Sequence, residues 1–85
     1  LADAFIAMPG GWGTLDELAE ILTWRQLGII KQPIGLLNIN QYFNPLLEQM
    51  RSMVRDGFLG ADNIEFLRVE ESAERLLDLL LLQKA

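Results

Sequence analysis

The 85-residue sequence contains neither cysteine nor histidine. That excludes a disulfide, a thiol nucleophile and a Ser-His triad, and it leaves no conventional zinc site. No metal is therefore expected. A chain without cysteine is compatible with a reducing, cytoplasmic setting, which is the expected localisation. Basic residues are also few, seven Lys and Arg against twelve Asp and Glu, for a net charge of −5. They are scattered from Arg25 to Lys84 and form no stripe, which argues against nucleic acid as a partner. The apolar run from Leu76 to Leu82 is too short to span a bilayer and is interrupted by Asp78, so no membrane association is expected. The first residues show no basic region or cleavage site of a signal peptide.

Against these absences stands one dense segment, Pro9-Gly10-Gly11-Trp12-Gly13-Thr14-Leu15-Asp16-Glu17. The preceding run, Asp3 to Met8, is apolar after its first residue and ends at Pro-Gly, which predicts a short buried parallel strand. The following residues place Leu15, Leu18, Ala19 and Leu22 at helical spacing. Strand, glycine-rich turn and helix in that order present free N–H groups at a helix N-terminus, a geometry suited to a phosphate. Three glycines within four residues exceed what a tight turn needs. They allow positive φ and close approach of a ligand to the backbone. The dinucleotide pattern G-x-G-x-x-G fails, because Asp16 stands where a small residue is required, and no lysine completes a P-loop.

Two roles are open for Glu17 on spacing alone. Thr14-x-x-Glu17 matches a capping box, with the threonine as N-cap and the carboxylate reaching back to its N–H. The same carboxylate also stands beside the loop, where the helix N-terminus favours its ionised form. There it suits a charge stabiliser or base better than a proton donor.

The pattern P-G-G-x-G-T-x-x-E resembles the signature of the LONELY GUY proteins, phosphoribohydrolases that release active cytokinins from their nucleotides. The resemblance continues through Glu20, Thr23-Trp24-x-Gln26-Leu27-Gly28, Lys31-x-Pro33-x-Gly35-Leu36-Leu37-Asn38, Tyr42-Phe43 and Gly57-Phe58. It implies hydrolysis of the N-glycosidic bond of a nucleoside 5′-monophosphate, giving free base and ribose 5-phosphate. Gly10, Gly11, Gly13 and Thr14 would hold the 5′-phosphate, with Trp12 at the family's variable aromatic position contributing through its backbone. Glu17 would be the catalytic glutamate, and Thr23, two turns along, would touch the ligand. Glu20 lies one turn beyond Glu17 and shares that work or is solvated surface.

The same family carries an upstream Met-His-x-Arg-Lys motif that supplies an essential arginine, and this chain has no such motif. The resemblance therefore implies the C-terminal portion of a larger protein, one partial domain over residues 1–85, inactive alone. The label of pyridoxal-dependent lysine decarboxylase is often attached to this family. It needs a Schiff-base lysine, and Lys31 and Lys84 have no recognisable cofactor context, so no cofactor is expected. A nucleotide-binding or carrier protein of the same fold, without catalysis, is the alternative.

Further along, Pro33 to Asn38 predicts a second buried strand. Asn44 before Pro45 predicts an N-cap and a helix to about Asp56, stopped by Gly57. Ile64 to Val69 predicts a third strand and Ser72 to Gln83 a closing helix. Alternating strands and helices predict an α/β fold, a parallel sheet with flanking helices, and the resemblance implies that this Rossmann-like sheet is the C-terminal half of a larger doubly wound domain. Hydrophobic residues make up 51% of the chain, whereas a domain this small buries only about 60% of its unfolded surface. Ile21, Trp24 and a last helix with leucine on nearly every face exceed one-sided packing. A homodimer is expected, with Trp24 and Leu27 near the contact.

Overall fold

The computed structural model describes residues 4–84, so Asp3 lies outside the described residues. The chain runs through β1 (Phe5–Ala7), α1 (Trp12–Gln26), β2 (Ile34–Leu37), a 3-10 turn at Ile39–Gln41, α2 (Asn44–Arg55), the short α3 (Asp62–Glu65), β3 (Arg68–Glu70) and α4 (Ala73–Lys84). The strands form a parallel sheet in the order β1-β2-β3, with Ile6 opposite Gly35 and Leu36 opposite Val69. The expected α/β architecture, a parallel sheet flanked by helices, is the one observed.

Strand geometry explains how the helices are distributed. Alternate residues of a strand face opposite sides of a sheet. Ile34 and Leu36 of β2 enter one core with Leu18 of α1, Phe43, Met50 of α2 and Leu67. Leu37 enters the other, where Leu76 and Leu80 of α4 are buried. Gly35 shares that second face: a Cβ built on it would lie 2.7 Å from Leu76 Cδ1. The missing side chain is what lets α4 close onto the sheet. Every residue of β2 is buried, because it alone among the described strands has a strand on each side and helices above and below.

Several sequence expectations shift for local reasons. β1 is not continuously buried: Phe5 and Ala7 are half-buried and Ile6 is 40% exposed. Among the described residues it pairs only with β2, so its outer edge is uncovered. Asn44 is the first residue of α2 rather than its cap, and its Oδ1 accepts a hydrogen bond from Asn38 Nδ2 at 2.8 Å. Gly57 does end that helix, in the left-handed region at φ 83°, where a glycine stop avoids the Cβ penalty.

The expected strand at Ile64–Val69 is split. The amides of Asn63 and Ile64 bond back to the carbonyls of Gly60 and Ala61, winding α3, and extended backbone begins only at Arg68. Ile64 and Leu67, three residues apart, both reach the core that faces α1 and α2. Short apolar runs of this kind do not distinguish a helical turn from a strand. Ser72 caps α4 as its carbonyl and hydroxyl accept from the Leu76 and Arg75 amides. Ile21, expected to lie off the apolar stripe of α1, also packs against the core. Trp24 and Leu27 are exposed.

Candidate functional site

Parallel strands send their carboxyl ends to one edge of the sheet, where ligands of such folds bind. The loops after β1 and β2 leave from neighbouring positions on that edge.

The glycine loop enters α1 earlier than its spacing suggests. Gly11 is the N-cap, with no side-chain capping bond, and its carbonyl accepts the Leu15 amide at 3.2 Å. Thr14 is therefore the third helical residue, and of the two roles open for Glu17 the capping box does not form. Glu17 is exposed and, among the described residues, makes no hydrogen bond or ion pair. The structural role that competed for this carboxylate is removed. Thr14 and Glu17 instead line one hollow of about 440 Å³ between β1 and α1, walled by Ala7, Met8, Pro9 and Ile21.

The amides of Trp12, Gly13 and Thr14 precede the first backbone bond of α1 and have no acceptor among the described residues. The helix dipole adds positive potential at the same end. The glycines divide by role. None of the three uses the positive φ that glycine allows, which among the glycines is taken by Gly28 and Gly57. Gly10 is required by the protein itself, because a Cβ there would lie 2.2 Å from Thr14 Oγ1. A Cβ on Gly11 or Gly13 would meet nothing within 4 Å. Packing demands neither of those two, and what their bareness leaves is open access to the amides. The Trp12 side chain is 86% exposed.

Glu20 and Thr23 are not gathered into this hollow. Glu20 is exposed on the helix. The Thr23 hydroxyl donates to the Ala19 carbonyl at 2.7 Å, and the residue lines a separate apolar groove of about 370 Å³ with Leu15, Met53 and Ile64.

The second loop contributes residues of which no site role was expected. Asn38 is buried at the end of β2. Its Oδ1 accepts the Phe43 amide at 2.6 Å, its Nδ2 reaches Asn44, and its own amide bonds to the Glu70 carbonyl at 2.8 Å. Tyr42 projects from the same turn, and its phenol donates to the Gly10 carbonyl. An asparagine closing a buried strand is a turn signal, but the reach of Tyr42 to a distant loop has no local signature.

Among the described residues no three potential metal-ligating His, Cys, Asp or Glu side chains cluster, and no helix is long and apolar enough to cross a membrane. Lys31 is exposed ahead of β2 and does not line the hollow beside the glycine loop.

A parallel α/β sheet with open helix amides beside a free carboxylate defines a candidate anion-binding α/β domain. The chain belongs to the family described as possible lysine decarboxylase, which matches residues 1–80. It is 46% identical over 79 residues to a probable cytokinin riboside 5′-monophosphate phosphoribohydrolase, LOGL3, of Oryza sativa subsp. japonica, covering 93% of this chain and 37% of that protein. It is 54% identical over 61 residues to the cytokinin riboside 5′-monophosphate phosphoribohydrolase LOG of the same plant, covering 72% of this chain and 25% of that protein. A third relative, LOG7 of Arabidopsis thaliana, bears the same enzyme name and is 57% identical over 58 residues, 68% of this chain and 27% of its own length. The chain thus spans between a quarter and somewhat over a third of these curated relatives.

Proposed function

We propose that this chain is the C-terminal, phosphate-holding part of a nucleoside 5′-monophosphate phosphoribohydrolase. One observation carries the reading: amides at Trp12, Gly13 and Thr14 stand beside a hollow lined by Glu17, and among the described residues neither the amides nor this carboxylate has a partner. The 5′-phosphate takes the amides and the Thr14 hydroxyl, with Gly10, Gly11 and Gly13 shaping the loop. Cleavage of the N-glycosidic bond passes through an oxocarbenium-like state. The Glu17 carboxylate stabilises that positive charge and orients the attacking water or the ribose hydroxyls. Water supplies the hydroxyl that joins the sugar carbon, and the base departs with the proton, leaving ribose 5-phosphate. The reading does not rest on Glu20 or Thr23.

The names of the relatives make a cytokinin riboside 5′-monophosphate the first substrate to try. A homodimer and a cytoplasmic setting belong to the same reading. Exposed Trp24 and Leu27 on α1, with Leu77 and Leu81 on α4, supply apolar area for a subunit contact.

The test is incubation of the full-length protein with AMP and N6-isopentenyl-AMP, following free base and ribose 5-phosphate together. Binding without turnover of either nucleotide would make the protein a carrier. A second test uses the bare glycines. Gly13→Ala places a methyl group in open space within α1, so it is expected to leave stability unchanged or raise it by up to about 1 kcal/mol. Nucleotide affinity is expected to fall by about tenfold or more as the methyl screens the amides. Thermal unfolding and calorimetric titration measure the two quantities separately.

A further inference from the structure

Tyr42 joins two loops that are far apart in sequence. Its phenol donates to the carbonyl of Gly10, 32 residues away, across the carboxyl ends of β1 and β2. Helical spacing would offer that same carbonyl to the Thr14 amide, since the first backbone bond of α1 runs from Leu15 N–H to the Gly11 carbonyl. The Thr14 amide makes no such bond.

The turn bearing Tyr42 is held firmly in place. Asn38 fixes both ends of it through its bonds to the Phe43 amide and the Asn44 side chain. Phe43 is buried in the core, and the Tyr42 ring meets it edge-on with centroids 5.3 Å apart. Between them Asn40 and Gln41 adopt φ of 53° and 60°. Consecutive left-handed residues other than glycine persist only where the surroundings over-determine them. Here they turn the chain so that the phenol reaches Gly10.

We propose that Tyr42 is a positioning residue of the phosphate site. By holding the Gly10 carbonyl it keeps α1 from winding back by one residue, and so keeps the Thr14 amide open to a phosphate oxygen. This rests on the phosphoribohydrolase reading above and adds the group that maintains the loop without touching substrate.

The experiment is Tyr42→Phe in the full-length protein, with AMP, ribose 5-phosphate and adenosine titrated against wild type and variant. The ring and its contact with Phe43 remain, so the variant folds with little change in melting temperature. AMP and ribose 5-phosphate are expected to bind about tenfold more weakly, the worth of roughly one hydrogen bond, while adenosine binding does not change. KM for AMP rises by a similar factor and kcat stays within about twofold. Unchanged AMP affinity in Tyr42→Phe overturns the proposal, as does an equal loss for AMP and adenosine, which marks general loosening. Gly13→Ala separates this from failure of the underlying reading. If Gly13→Ala weakens AMP binding and Tyr42→Phe does not, the phosphate site stands and the positioning role falls. If wild type binds AMP no better than adenosine, both fall.

Discussion

Replacing Glu17 by Gln in the full-length protein is expected to slow base release by about a hundredfold to ten-thousandfold, the range for losing a group that stabilises charge or moves a proton in the transition state. The amide has the shape of the carboxylate but carries no charge to balance an oxocarbenium-like sugar. Nucleotide affinity should stay within a few-fold, because the proposed phosphate donors lie on Trp12, Gly13 and Thr14. Folding should be unaffected as well. Glu17 is exposed and has no partner among the described residues, and such surface changes usually stay within about 0.5 kcal/mol. Product formation, calorimetric titration and denaturant unfolding on one preparation separate these effects, and undiminished turnover would refute the assignment.

Gly35→Ala is expected to destabilise the full-length protein by about 1–3 kcal/mol, the usual cost of forcing an extra carbon into a filled core. The new methyl would lie 2.7 Å from Leu76 Cδ1, and Leu76 is wholly buried, so it has no open space to retreat into. Either β2 bends or α4 lifts away from the sheet. Leu76→Ala alone should cost about 2–5 kcal/mol through the cavity it leaves. The two changes together should cost less than their sum, because the alanine methyl would then enter that cavity. Denaturant midpoints of the two single variants and the pair measure this coupling. Strict additivity would show that Gly35 and Leu76 do not constrain one another.

The parts of the fold that were legible in the sequence depend on local signals. An apolar run ending at Pro9-Gly10 marked β1 and one between Pro33 and Asn38 marked β2, Gly57 marked the end of α2, and the strand-helix alternation pointed to the parallel sheet. The glycine loop and Glu17 were visible for the same reason, since the whole motif fits within nine residues. Spacing left the outcome open, or pointed the wrong way, where two local patterns competed. Thr14 and Glu17 have capping spacing, yet the Gly11 carbonyl already accepts from Leu15, so the helix begins before Thr14 can cap it. The Ile64–Leu67 run suits either a strand or a helical turn, and the backbone bonds to Gly60 and Ala61 decide for the turn. The bond between Tyr42 and Gly10 was illegible because it depends on how two strands lie side by side, which no short window of sequence encodes.

The uneven support of the sheet has a consequence for motion. β2 is flanked on both edges and covered on both faces, whereas β1 has one neighbour among the described residues and a half-exposed surface. Opening fluctuations follow the least buried hydrogen bonds, so amide protons of β1 exchange with solvent sooner than those of β2. The glycine loop hangs from that looser strand. An anion seated there would have to offset the entropy lost in quieting β1, and slower amide exchange in β1 on adding phosphate would report it.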